Sequence, residues 1–423
     1  MKIRFQVQVL NAALDVVNVV QPRPSTADAG PGFLFVVREG KCLIYSKDQT
    51  RCIRVPVAFE EVDGDGSFVF PHHKVDALKY LDGWIDIESG SEKKEKDKDA
   101  RFWISYRSES GDEQEASPTV NPGTMTTLDE FLDASKDGKE FQAALLREAI
   151  NATSPYLAKA DEGKVEKHFQ TLQFFDESKE EWKKGDGYSF AADGIRTCYF
   201  YCDKFKGKGL ALHAQHLSTV GSFLAKCHTG MIRVRHGASM TFLINANDQV
   251  LGLAHNTHNH PKFHYYPLLG DQYVLHTDKE PFIKALRYMR ASLDKNQSKI
   301  HVKYDPTDLK MVVTASERAS KVSSRPVVME PVPDPNGKPA PTEPFEGNAD
   351  LNHFIDLVEP IKGHRVLLRV ACVRSGAHAG TLLFRTIDTF FLDEDGRPLI
   401  SKQDVEEGKA AECQVTRFMP GRA

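Results

Sequence analysis

Apolar and polar positions along this chain fall into a pattern that recurs, and its clearest copy runs from Leu210 to Ala254. A short apolar strand, Leu210-Ala211-Leu212, leads into a segment where Leu217, Val220, Leu224 and Cys227 recur at helical spacing. Ser218, Ser222 and Lys226 fall on the opposite face of that helix. Gly230 supplies the residue with which a chain commonly leaves a helix. Three strand-like runs follow, Met231–Arg235, Met240–Ile244 and Val250–Leu253, separated by turn residues at His236-Gly237 and Asn245–Asp248. The unit reads strand, helix, three strands.

The same order recurs along the whole chain. Strand Ile3–Val9 precedes a helix on Leu10, Leu14 and Val17, then strands Phe33–Val37, Cys42–Tyr45 and Cys52–Val57. Ser67–Phe70 precedes a helix on Val75, Leu78 and Leu81, then Trp84–Ile87 and Arg101–Tyr106. A third helix carries Phe141, Leu145 and Ala149, followed by His168–Phe175 and Gly187–Phe200. After the Leu210 unit, Tyr273–Leu275 leads to a helix on Phe282, Leu286, Met289 and Leu293, then Ile300–Tyr304 and Lys310–Ala315. The last helix carries Leu351, Phe354, Ile355, Val358 and Ile361, before Val366–Val373 and Thr381–Ile387.

Helices spaced this widely do not share one core as solenoid repeats do. Taken in pairs, the six units predict an α+β chain of three similar domains of about 140 residues. The expected boundaries are 1–128, 129–271 and 272–423, with joints marked by Pro122-Gly123 and Leu269-Gly270-Asp271. Four segments stand outside the pattern. Ser91–Asp99 is a mixed-charge run read as a solvated loop. Ser108–Pro122 and Asp393–Glu412 are polar excursions, and Pro331–Pro344 reads as a stiff connector.

Charge and cysteine content narrow the class. A formal charge of −4 excludes a DNA binder driven by overall positive charge, but leaves room for one basic surface. Seven scattered cysteines suit reduced thiols rather than a disulfide framework. Cys198 and Cys202 lack the second pair that a zinc site needs. No apolar run reaches membrane length and Met1–Phe5 enters structure directly, so the expectation is a soluble cytoplasmic, nucleoid-associated protein with no membrane partner.

Catalytic chemistry finds little footing. His255, His258, His260 and His264 are dense enough to suggest a transition metal, and a metal-dependent enzyme centred on them is one alternative. They lack a helical pair backed by glutamate, and the segment reads more simply as a polar linker. Asp63-Gly64-Asp65-Gly66 lacks the later bidentate glutamate of a calcium loop and reads as a hairpin turn. No Walker-type phosphate loop or nucleophile elbow occurs. No enzyme activity, metal or cofactor is expected.

The three-domain, six-unit plan resembles the bacterial DNA polymerase III beta subunit, the ring-shaped sliding clamp. Ala192-Asp193-Gly194-Ile195-Arg196 is similar to that family's threonine-aspartate-glycine-histidine-arginine turn. Asn259–Phe263 resembles its glycine-arginine-phenylalanine-proline-aspartate-tyrosine segment. Phe418–Ala423 resembles its closing valine-methionine-proline-methionine-arginine-leucine. Arg23-Pro24 matches an arginine-proline pair whose arginine touches DNA. The order of these stretches, over the full length, carries the resemblance.

The resemblance implies a non-enzymatic processivity factor, a head-to-tail homodimeric ring around double-stranded DNA. It also implies a groove that takes short linear peptides of the DNA polymerase and the clamp loader. By resemblance the groove is walled by Phe169, Ala192, Gly194, Ile195, Arg196, Thr197, Pro261, Tyr265, Met419, Pro420 and Arg422. Ile195 stands where the family has histidine, and Gly421 and Ala423 are smaller than their counterparts, so the preferred peptide differs. Sliding needs sequence-independent phosphate contacts from the polar helix faces. Arg23, Lys74, Lys79, Arg147, Lys226, Lys284, Arg287 and Arg290 are the candidates, while Asp356 and Glu359 oppose Lys362 on the last helix. A further alternative is a clamp-like, partner-binding protein that does not close on DNA.

Overall fold

The computed structural model describes residues 1–21, 32–72, 75–91, 102–108, 111–116, 122–159, 166–227, 230–255, 258, 260, 273–316, 321–332, 342–372, 382–392 and 411–420. It is an α+β structure dominated by antiparallel sheets. Its helices are α1 (Val7–Val17), α2 (Val75–Leu78), α3 (Pro122–Asp133), α4 (Ala143–Thr153), α5 (Leu217–Lys226), α6 (Lys279–Ser292) and α7 (Leu351–Val358).

Two compact units make up the chain. One comprises residues 1–147 with 216–256, the other 148–215 with 257–423. The first holds an eight-stranded sheet in the order 136–142, 231–236, 240–244, 250–254, 51–57, 41–47, 32–38, 66–71. It also holds a five-stranded sheet in the order 61–63, 2–6, 84–91, 102–108, 111–116. The second holds a nine-stranded sheet in the order 210–213, 171–174, 188–192, 197–202, 411–420, 382–392, 365–372, 273–278, 330–331. Its remaining sheet runs 321–323, 310–316, 299–305, 345–350, with 327–328 also pairing to 310–316.

Strand pairing therefore runs across both expected domain joints. Val250 faces Arg54 in one sheet, and Thr197 faces Phe418 in the other. Backbone groups at a strand edge gain ladder partners whichever repeat supplies them, so each half of the middle repeat is fused to a neighbour.

Within each unit the apolar stripes do what their spacing predicts. In the first, Leu10, Leu14 and Val17 of α1 are buried together with Val75 and Leu78 of α2, and Asn11 Nδ2 donates to the Leu78 carbonyl at 3.1 Å. In the second, Phe282, Leu286 and Met289 of α6 share a core with Phe354, Leu357 and Val358 of α7. The Phe282 and Phe354 rings meet edge to face at 5.6 Å. The Asp350 side chain accepts the Asn352 and His353 N–H groups and starts α7, a cap that contributes about 1 kcal/mol.

Several local expectations are corrected. Residues 111–116, read as part of a loose excursion, form a hairpin strand with Ser108 facing Gly111. Residues 122–133 form α3, which the apolar pattern did not announce, and its Leu128 and Leu132 pack against Cys52 and Phe242. Phe141 lies in the strand Lys136–Gln142, so the third helix begins two residues later. The second helix stops at Leu78, short of Leu81. Phe345–Asp350 is a strand the apolar pattern did not announce, and the final strand already starts at Ala411. The linkers at 92–100, 333–341 and 393–410 lie outside the described residues.

Candidate functional site

The turn between the strands Tyr188–Ala192 and Thr197–Cys202 is the best-built part of the expected groove. Asp193 Oδ1 accepts the N–H groups of Ile195 (2.9 Å) and Arg196 (2.6 Å), an Asx-type closure that needs no help from outside the turn. Gly194 sits at φ +88°, where a side chain would be strained, and a Cβ there would lie 3.5 Å from the Phe169 ring. Ile195 is pushed outward and is 51% exposed, an apolar side chain presented at the tip.

Arg196 does not present its charge to a ligand. Its guanidinium pairs with Asp193 at 2.7 Å and with Asp356 of α7, donates to the Pro155 carbonyl at 3.2 Å, and lies over the Tyr156 ring. Burial pushes the Asp356 carboxyl above its ordinary value, and the neighbouring Arg196 pulls the other way. Tyr156 donates its hydroxyl to the Asp356 carbonyl at 2.8 Å, closing the network. The arginine therefore ties the turn to α7.

Strand register decides which other predicted walls share a face. Phe169 packs with Ala192, Phe190 and Tyr199. Thr197 pairs with Ala192 on one side and Phe418 on the other, so these residues stand on one face of the nine-stranded sheet. Alternation sends Met419 to the opposite face, opposite Phe384 and inside the core of α6 and α7. Phe169 and Met419 are thus not brought to one sheet face. Phe418, absent from the sequence-based set, is on the Phe169 side and packs with Ala371 and Leu383. Strict alternation back from Thr197 finds it once the pairing is known. Pro420 ends the strand, and Pro261, Tyr265 and Arg422 lie outside the described residues.

The histidine segment is dispersed rather than gathered. His255 shares a hydrogen bond with Thr241 Oγ1 at 3.0 Å. The backbone N–H of His258 donates to Thr171 Oγ1, and the carbonyl of the buried His260 accepts from Trp182 Nε1. The His260 ring lies against Phe190 and His168. Among the described residues no three His, Cys, Asp or Glu side chains come together to hold a metal, and His264 lies outside them. Asp63-Gly64-Asp65-Gly66 is a turn between two strands, with Gly64 at φ +79°.

The basic candidates divide by partner. Lys79 pairs with Asp76 at 2.7 Å and Lys284 with Glu280 at 3.3 Å. Arg287 pairs with Glu359, a residue expected to oppose Lys362 instead. Arg290 folds back over the end of α6, donating to the carbonyls of Gln297 (2.8 Å) and Leu293 (3.3 Å). Arg147 is half-buried in α4, and Lys226 lines an open cavity beside α1. Arg23 and Lys74 lie outside the described residues. No helix among the described residues is long and apolar enough to cross a membrane.

Comparison with known proteins gives a consistent result at the level of structure only. No protein-family model matches the sequence, and no curated protein matches it. Among solved structures, the Caulobacter crescentus pol III beta aligns with a TM-score of 0.71 at 15% identity, covering 100% of both chains. The Pseudomonas aeruginosa DNA polymerase III subunit beta aligns at 0.70 and 15%, again over 100% of both. The Thermotoga maritima DNA polymerase III beta subunit aligns at 0.67 and 14%, over 100% of this chain and 99% of the other. This chain has the sliding-clamp fold of the DNA polymerase III beta subunit.

Proposed function

We propose that this chain is a processivity clamp. Two copies, each of three domains bounded near residues 128 and 272, close head to tail into a ring around duplex DNA. A groove beside the turn Asp193–Arg196 tethers a polymerase and a clamp loader through short linear peptides. The observation that carries the reading is the whole-length alignment with clamps that differ from it at more than four positions in five. Fold retained end to end under that much divergence is what a ring demands, since every domain must keep its shape for the ends to meet. The protein acts as a scaffold, without catalysis.

In the groove, Ile195 puts an exposed apolar side chain where the resembled family has a polar one, next to Gly194, whose backbone approaches Phe169, which supports an apolar peptide anchor at that turn.

The test is topological. Light scattering at micromolar concentration is expected to give about 95 kDa, twice the 47.4 kDa chain. A closed ring assembled on nicked circular DNA stays bound through gel filtration and is lost when the plasmid is cut. A monomer in solution that leaves circular and linear DNA equally fast overturns the ring.

The internal pairing of Lys284, Arg287 and Arg290 favours a second reading, a clamp-like protein that binds partners without closing on DNA. The same plasmid experiment separates the two.

A further inference from the structure

Seven cysteines are scattered along the sequence, and strand register brings two of them face to face. Cys202 ends the strand Thr197–Cys202 and pairs with Cys413 in the final strand, Ala411–Pro420. Both belong to the second unit, both thiols are free, and both are fully buried. No other described cysteine has this arrangement. Cys42 faces Val37 and Val57, and Cys52 faces Lys47 and Gly252. Cys198 faces Ala191 and Arg417, and Cys372 faces Leu382. Cys227 lies beyond the end of α5, its thiol donating to the Phe223 carbonyl at 3.1 Å.

The kind of pairing decides what the two thiols can do. In an antiparallel ladder a residue turns its backbone N–H and its carbonyl to the same neighbour, so opposed residues alternate between hydrogen-bonded pairs and closer, unbonded ones. The Cys202 N–H donates to the Gly187 carbonyl at 3.0 Å, toward the strand Tyr188–Ala192 and away from Cys413. The same alternation shows at the other end of this ladder, where the Arg196 carbonyl accepts from the Asp193 N–H at 3.2 Å. Cys202 and Cys413 are therefore an unbonded pair, the type whose Cα atoms stand about 4.5 Å apart with the side chains drawn together. A disulfide spans Cα separations of about 4.4–6.8 Å, so the bond fits between these strands as they lie. The thiols do interact: the hydrogen bond with Cys202, together with burial, pushes the Cys413 thiol far above its ordinary value.

We propose that Cys202 and Cys413 are an oxidisable pair, converted by a small disulfide into an intrachain cross-link that staples the final strand to Thr197–Cys202. One thiol gives up its proton, and its thiolate attacks a sulfur of the small disulfide. The S–S bond of that molecule breaks, and the departing thiolate takes up the proton. The other cysteine, deprotonated in turn, attacks the mixed disulfide and releases the second small thiol. The protein loses two electrons and two protons, and the small disulfide is reduced to two thiols. Burial sets the timing. Neutral thiols sealed inside a sheet do not react, so the exchange waits for the final strand to open locally. Once formed, the bond closes the chain from residue 202 to residue 413, and a cross-link over so long a loop strongly restricts the unfolded state. The staple stands on register and backbone bonding, independently of the clamp reading.

The experiment uses the full reduced chain, incubated with oxidised glutathione across urea concentrations below the unfolding transition. Digestion without reductant, read by mass spectrometry, is expected to give one cross-linked peptide joining Cys202 to Cys413, lighter by two hydrogens than its reduced parts. Its rate of formation should rise with urea, as opening of the strand becomes more frequent. Freed of oxidant, the cross-linked protein should melt several degrees above the reduced one, and a reducing agent should abolish the difference. Cys413→Ala should leave Cys202 as a mixed disulfide with glutathione and show no such rise in melting temperature. Any of three results on the wild-type chain overturns the proposal: cross-links that join other cysteines in preference, no Cys202–Cys413 bond even just below the transition, or a cross-linked protein that melts no higher than the reduced one.

Discussion

Met419→Ala separates core from groove more sharply than any other single change. Met419 is 1% exposed and sits in a strand hydrogen-bonded on both sides, to Thr197–Cys202 and to Leu382–Leu392. It faces Phe384, which in turn packs on Phe354 of α7. Truncating a buried methionine to alanine costs about 2–5 kcal/mol, and a strand pinned on both edges cannot collapse into the space left behind, which argues for the upper half of that range. About 3.5–5 kcal/mol corresponds to a fall of roughly 7–20 °C in the unfolding transition of a domain of this size. Ile195→Ala is the counterpart. At 51% exposure it should shift stability by no more than about 0.5 kcal/mol, yet weaken an apolar peptide anchor by about 1.4 kcal/mol or tenfold. Urea melts followed by circular dichroism, with peptide affinity by fluorescence anisotropy, give both quantities on each variant. A Met419→Ala protein that keeps wild-type stability but loses peptide binding refutes the core assignment and makes Met419 a groove wall.

Arg290→Ala should destabilise by about 1–2 kcal/mol through the lost carbonyl contacts at the end of α6, without changing the salt dependence of DNA binding. Chemical denaturation and a salt series of duplex-DNA titrations check the two halves. Arg196→Ala is expected to raise the Asp356 carboxyl pKa further, by removing the neighbour that opposes burial, and NMR titration of the carboxyl carbon reads it; an unmoved value means that the pair is not formed in solution. Asp86 is held below its ordinary carboxylate value by two hydrogen bonds from Arg4, at 2.7 and 2.9 Å. Its contribution to stability is complete above about pH 4 and is lost as pH falls through the lowered value. Urea midpoints of wild type and Asp86→Asn should therefore differ at pH 7 and draw together as pH is taken down through the lowered value.

What the sequence disclosed was whatever depends on neighbours close along the chain. The helical stripes of α1, α5, α6 and α7 are visible because burial recurs every third or fourth position. Residues 111–116, Gly-Asp-Glu-Gln-Glu-Ala, carry no apolar signal, and what sets them in line is backbone pairing with Phe102–Ser108. The short turn of the groove was legible because Asp193 closes it locally. The role of Arg196 was not, because Asp356 lies far away in sequence and only the fold brings it near. Lys284, Arg287 and Arg290 looked alike as bare charges. Their different duties depend on Glu280, Glu359 and carbonyl groups that no periodicity reveals.

The placing of residues 411–420 in the middle of the nine-stranded sheet also sets a schedule for biosynthesis. Thr197–Cys202, an aromatic-rich strand, waits for a partner whose Cys413 must meet Cys202 from the far end of the chain. At ~5–20 residues per second on the ribosome, that wait lasts on the order of ten seconds or more. During it one edge of a hydrophobic strand has no ladder to complete, the state in which nascent chains aggregate or recruit holding chaperones. The first unit has a similar wait, since Arg51–Val57 pairs with Val250–Ala254, but it is complete by residue 256. Folding is thus vectorial, with the N-terminal unit able to form on the ribosome and the second sealed only when its last strand emerges.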